Sequence, residues 1–200
     1  MGSSAGGVCY LERHFPPEYQ GNLFFCEWGK SLVRYPLNRA GSSFASPKEL
    51  VFATGPEGDP YGFKPTDVVV QRDGTLMVSD YADGQRPKRG RGRIYHIAHA
   101  RDDTKETPPL PADPLARLDS GSYFERCEAQ AVIEGEAEKW LERLTDALSA
   151  GRIGPRGRLH AIWILARVQG DKAIEPLLTI ARSDPEPSVR AQAVRAIADL

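Results

Sequence analysis

Long apolar runs are missing from this chain of 200 residues. No stretch approaches the roughly 20 apolar residues that cross a bilayer, so no transmembrane segment is expected. Net charge is missing too: 26 basic against 27 acidic residues leave a formal charge of -1. That balance supplies no global attraction to nucleic acid or to an anionic membrane, so neither is expected as a partner. Cysteine is scarce, and Cys9, Cys26 and Cys127 lie far apart. The spacing excludes a CxxC metal knuckle and a CxxCH haem attachment, and reads as buried free thiols. His14, His96, His99 and His160 have no partner at metal-ligand spacing. The first residues lack the basic and apolar regions of a leader, so the chain as written is expected in the cytoplasm. No nucleophile or acid/base pair stands out, which leaves a self-sufficient enzyme without candidate residues.

What is present falls into two patterns. From Val8 to about Ile97, short apolar runs are broken by Gly, Pro and Asp-Gly signals, which predicts strands near 8–12, 23–28, 32–37, 49–53, 67–71, 76–81 and 93–97. The runs Asp67 to Gln71 and Leu76 to Asp80 flank Asp73-Gly74, a pair suited to a two-residue type I′ hairpin turn. The region also repeats. Shifted by 53, Gly21-Asn22-Leu23-Phe24-Phe25-Cys26-Glu27-Trp28 falls on Gly74-Thr75-Leu76-Met77-Val78-Ser79-Asp80-Tyr81. Val33-Arg34-Tyr35 matches Ile94-Tyr95-His96 at a shift of 61, which implies an eight-residue insertion in the second unit. Two antiparallel units at this spacing predict about two blades of a β-propeller over residues 1–97. A closed propeller needs at least about four. The expected partners are therefore the missing blades of the same propeller or another protein.

Residues 98–121 carry Pro108, Pro109, Pro111 and Pro114 without a sustained period and read as a linker. Over 122–200 the apolar spacing turns helical, with a repeat of 32 residues that aligns Arg126, Arg158 and Arg190, then Ala129, Ala161 and Ala193, then Ile133, Leu165 and Ile197. Leu141, Leu144 and Leu148 match Ile174, Leu177 and Ala181 at a shift of 33. Pairs of antiparallel helices that bury their stripes by stacking predict an α-solenoid of HEAT-like repeats. The fold class expected is thus multi-domain β + α, a partial β-propeller followed by an α-solenoid. The third repeat breaks off after one helix, so the chain is expected to be a fragment of something longer.

The segments from His14 to Gly29, Lys64-Pro65-Thr66-Asp67-Val68, Asp73 to Tyr81 and Gly92 to Ile97 resemble the final propeller blades of the planctomycete-type membrane-bound dehydrogenases. The propeller of that family is similar to that of the soluble glucose/sorbosone dehydrogenases, and HEAT repeats follow it. The resemblance implies a parent protein that is exported or periplasmic and uses a quinone, calcium or haem c. No catalytic position of the family is matched in this chain, so no cofactor is expected in it.

A two-residue turn at Asp73-Gly74 places Asp67 directly opposite Asp80, where like charges repel unless compensated. Either they hold a cation at the channel mouth, or each accepts backbone N–H bonds from adjoining loops. Glu27 and Trp28 occupy the repeat-equivalent places of Asp80 and Tyr81, which favours a structural corner. The basic loop from Gln85 to Arg93 either holds phosphate or a partner's acidic surface, or is solvated or paired with Asp83. Arg126, Arg158 and Arg190 form a ladder that either ties adjacent repeats together or presents a face to a protein partner. Trp140 and Trp163 are expected in the core. The functional expectation is a structural or docking module without catalysis of its own, the alternative being a stand-alone interaction adaptor built on the helical repeats.

Overall fold

The computed structural model describes residues 4–28, 31–40, 43–55, 57, 62–81, 92–100 and 110–200. The chain divides into Met1–Thr104, built of antiparallel sheets, and Lys105–Leu200, built of helices.

In the first unit, β1 (Ser4–Cys9), β2 (Leu23–Glu27), β3 (Ser31–Tyr35) and β6 (Leu50–Thr54) form a sheet in that order, here sheet I. β4 (Asn38–Ala40) and β5 (Ser43–Ala45) make a small hairpin between its last two strands. Their exposed three-residue runs carry no alternation to read, so the sequence pattern misses them. β7 (Pro65–Val70), β8 (Leu76–Asp80) and β9 (Arg93–Ile97) form sheet II. β1 starts earlier than expected and ends at Cys9, because Tyr10 turns inward. Its hydroxyl donates to the Gly74 carbonyl at 2.8 Å and accepts from the Phe15 amide at 3.0 Å, which ties the two sheets together.

The β7–β8 turn differs from expectation. Gly74 N donates to the Gln71 carbonyl and Gln71 N to the Thr75 carbonyl, both at 2.8 Å. Arg72-Asp73-Gly74 is thus a three-residue loop, with Gly74 at φ 84 in the left-handed position that such loops require. Asp73 Oδ1 fixes it by accepting from the Thr75 hydroxyl at 2.7 Å and the Thr75 amide at 3.0 Å. These bonds hold the Asp73 carboxyl below its ordinary pKa. The extra loop residue moves the register by one. Asp67 pairs with Ser79 and Pro65 with Asp80, so Asp67 and Asp80 do not face each other. A one-residue slip exchanges the faces of a strand.

The repeat survives with one adjustment. Leu23 pairs with Tyr35 and Leu76 with Ile97, so β2 maps on β8 at a shift of 53 and β3 maps on β9 at 62. The insertion is therefore nine residues and not eight. Cys9 pairs with Leu23 and Val70 with Leu76, which maps β1 on β7 at a shift of 61.

Equivalent strands bury opposite faces. The shared core takes Phe24, Cys26 and Leu32 from sheet I and Val68, Leu76 and Val78 from sheet II, with Val8, Tyr95 and Ile97 packed against it. Carried across by the repeat, Phe24, Cys26 and Leu32 become Met77, Ser79 and Ile94, on the outer face of sheet II. Leu32 is 0% exposed and Ile94 is 70% exposed. In the other direction Val68, Leu76 and Val78 become Gly7, Leu23 and Phe25, on the outer face of sheet I. The strand pairs β1/β7 and β2/β8 agree on this inversion, as do Leu32 and Ile94 of β3/β9, although β3 also buries Ser31 and Val33 on its outer face.

In the second unit α2 (Tyr123–Gly135), α4 (Pro155–Gln169) and α6 (Pro187–Ala198) begin 32 residues apart. α3 (Ala137–Ser149) packs on α2 and α4, and α5 (Ile174–Ser183) packs on α6. Ser122 starts α2 by accepting from Glu125 N at 3.2 Å, while Pro155 and Pro187 occupy the first helical turn of α4 and α6. Ala129, Ala161 and Ala193 are fully buried where these helices touch, as are Leu144 of α3 and Leu177 of α5. The stretch expected as a linker holds a helical turn, α1 (Pro114–Arg117), and Leu118 behind it is buried in the helical core. Among the described residues no helix is long and apolar enough to cross a membrane.

Candidate functional site

Each group of candidate residues is built by the element that carries it. Asp80 closes β8 with its side chain on the core face, 4% exposed. Its Oδ1 accepts from the Lys64 amide at 2.7 Å, and Tyr81 N donates back to the Lys64 carbonyl at 2.9 Å, so the acid fixes the loop that enters β7. Its Oδ2 is buried without a hydrogen-bond partner among the described residues. Asp67 lies on the other face of sheet II, exposed, with Oδ1 accepting from Val68 N at 2.9 Å. Among the described residues no group of three His, Cys, Asp or Glu side chains could hold a metal ion. The register removes the carboxylate pair on which a cation site depended.

Beside Asp80, exposed Tyr81 stacks on exposed Trp28 with ring centroids 5.8 Å apart and planes at 30°. These two residues are repeat equivalents, so the same corner of both sheets meets itself. Most of the basic loop from Gln85 to Arg93 lies outside the described residues. The thiols differ from expectation: Cys26 is buried, Cys127 is half-buried and Cys9 is exposed, because β1 stands at a sheet edge. Burial, and then the Asp67 carboxylate, push the Cys26 thiol up to about 12.

The arginine ladder is built three times in one way. Arg126, Arg158 and Arg190 each donate through Nη1 to a carbonyl in the loop before their own helix: Ser120 at 2.6 Å, Ile153 at 2.9 Å and Asp184 at 2.7 Å. Arg158 also reaches the next repeat, with Nη2 donating to Asp184 Oδ1 at 3.1 Å and Nε 2.8 Å from Oδ2, a well-buried ion pair in which Nε makes no aligned hydrogen bond among the described residues. Arg126 reaches the next repeat through His160, its Nε donating to Nε2 at 3.3 Å. His160 Nδ1 then donates to Gln130 Oε1 at 2.7 Å. Burial, and then the Arg126 charge, push His160 down to about 4, so it is a neutral bridge between α2 and α4.

A groove of about 510 Å³ opens beside that bridge, floored by Leu159 and Trp163 and walled by Gln130, His160, Arg167 and Gln192. Trp140 is buried and donates its indole N–H to Glu136 at 2.9 Å, as a core tryptophan does. Trp163 is half-buried, and its indole N–H has no hydrogen-bond partner among the described residues, nor has the Gln192 amide. Arg167 has a largely exposed side chain and touches Glu134 only at 3.4 Å. Helical spacing places Trp163 on an apolar stripe but cannot report that the stripe is left partly open. The available signal is the mixed environment of α4, where polar His160 and Arg167 flank the tryptophan on one face.

The three histidines of the sheet unit gather at the β7–β8 turn. His96 Nε2 lies 2.8 Å from the Thr75 hydroxyl, and the His99 amide donates to His14 Nε2 at 3.1 Å. Because the Thr75 hydroxyl already donates to Asp73, His96 donates to it. The His96–Thr75–Asp73 chain of bonds braces the turn.

No protein family, curated protein or solved structure matches the chain.

Proposed function

We propose that this chain is a docking module without catalysis of its own, in which two β-propeller blades precede a solenoid of HEAT-like repeats. The observation that carries the reading is the opposite-face burial of the repeated strands. Two sheets related by a two-fold axis present the same face to each other, whereas a head-to-tail relation presents front to back. Blades follow one another around a propeller in the second way. On this reading the sheet unit corresponds to the last blades of the glucose/sorbosone dehydrogenase-like propeller in the planctomycete-type membrane-bound dehydrogenases. The helical unit then corresponds to the HEAT repeats that follow it there. The quinone, calcium or haem c of such a protein would be held by parts other than these residues. Its partners are further blades of the same kind or another protein.

The test is a dye-coupled oxidation assay with the full chain, glucose or sorbosone, a water-soluble quinone acceptor and calcium. The expected rate equals the rate without protein. Protein-dependent turnover, lost on heating the chain, overturns the non-catalytic reading.

A second reading, a stand-alone adaptor on the helical repeats, is favoured by the groove beside His160, where unpartnered Trp163 and Gln192 donors adjoin an apolar floor. Replacing Trp163 by Ala would abolish partner capture under this reading and spare it under the first.

A further inference from the structure

The outer faces of the two sheets are the repeat equivalents of two faces that already pack together. The outer face of sheet II carries Val69, Met77 and Ile94, equivalents of Val8, Phe24 and Leu32, which sheet I buries against sheet II. Val69 is 46% and Ile94 70% exposed, among the more exposed apolar side chains described. The outer face of sheet I carries Leu23 and Phe25, both half-buried, and Val33, which is 2% exposed there beside the packed rings of Phe25 and Tyr35; these are equivalents of Leu76, Val78 and Tyr95, which sheet II buries against sheet I. The chain therefore holds one copy of each face packed against the other sheet and one copy of each that is not, the second being open at Val69 and Ile94 on sheet II and at Cys9 on sheet I.

We propose that a second copy of this chain stacks the outer face of its sheet I on the outer face of sheet II, continuing the front-to-back packing already present inside the unit. This rests on the blade reading of the proposed function. The contact is heterologous, because the two faces differ, so it repeats until the rotation closes. Propellers close at about four to eight blades, which corresponds to about two to four copies at two blades each. The exposed Val69 and Ile94 make the outer face of sheet II an association site by its physical chemistry.

The experiment is sedimentation velocity on the full chain at low and high micromolar concentration, with two variants on exposed positions. Ile94→Lys charges the outer face of sheet II, and Cys9→Lys charges the outer face of sheet I, where Cys9 sits beside Leu23. Neither position is in the core, and unchanged circular dichroism verifies that each variant folds. The wild type is expected to move from 22.0 kDa to a multiple of that mass as concentration rises. Each variant alone is expected to stay monomeric, and an equimolar mixture to form dimers that go no further, because one intact face of each kind remains. A monomeric wild type at high concentration overturns the proposal, as does assembly that survives Ile94→Lys, or a mixture that stays monomeric. The blade reading is scored separately by Phe24→Ala and Val68→Ala on the inner faces. Lowered melting of both in a monomeric wild type sinks self-stacking alone, and unchanged melting of both sinks the blade reading with it.

Discussion

The two halves of this chain are both repeats, yet they use repetition differently. In the helical unit the small residues at the helix contacts share one fate: Ala129, Ala161 and Ala193 are all fully buried. In the sheet unit equivalent positions such as Leu32 and Ile94 have opposite fates. The reason is the second layer. α2, α4 and α6 are backed by α3 and α5, so the same stripe points inward in every repeat. Among the described residues the sheets have no helical second layer, and each packs its core face on the other. A layered repeat keeps one stripe inward in every unit, whereas a stacked one turns opposite faces of equivalent strands to the core.

The comparison can be broken most easily from the helical side. Ile162→Ala removes a fully buried side chain and should cost about 2–5 kcal/mol in urea unfolding. Its repeat equivalent Val194 is 58% exposed on the last helix, so Val194→Ala should stay within about 0.5 kcal/mol. Equal losses at both positions would contradict the account of α6 as an open end. Next in size is Arg158→Ala, which strips the Asp184 carboxylate of its buried cationic partner and should cost about 1.5–3 kcal/mol.

On the sheet side, Asp80→Ala leaves the Lys64 amide without its acceptor and should cost about 1–2 kcal/mol, while Asp67→Ala on the other face should cost about 0.5 kcal/mol or less. Calcium should leave the melting temperature of the wild type unchanged. A calcium-dependent rise that Asp80→Asn removes would restore the cation reading.

The smallest effect concerns pH. His160 titrates near 4 in the folded chain and near 6.5 unfolded, so the unfolded state binds the proton first. The stability it contributes is complete above about pH 6.5 and is lost as pH falls toward about 4. His160→Gln should flatten the fall in melting temperature between these limits. An unaltered slope would mean that the bridge from Arg126 to Gln130 does not form.

Much of this was legible in the residues. Apolar alternation around Leu23–Glu27, Leu76–Asp80 and Arg93–Ile97 locates the strands, because one face of each must be buried and period two reports it. The 32-residue spacing locates α2, α4 and α6, because the small alanines that let helices approach recur in step. The hairpin turn was misread: Asp73-Gly74 suits both a two-residue and a three-residue loop, and only the hydrogen bonds of Gln71 decide between them. That single residue separated Asp67 from Asp80. The gathering of His14, His96 and His99 was hidden, since they come from distant segments joined at one turn. The groove beside Trp163 was hidden for the opposite reason, because its residues look like ordinary stripe positions of α4.

The most direct test of the front-to-back packing is thiol labelling of two equivalent positions in a chain whose own cysteines are replaced by alanine. Leu32→Cys and Ile94→Cys would each be reacted with a maleimide at low concentration under native conditions. The account predicts that the thiol at 94 reacts like a free one and the thiol at 32 about a hundredfold slower, waiting on local opening. Equal rates at the two positions would contradict it, because sheets packed through the same face would protect both alike.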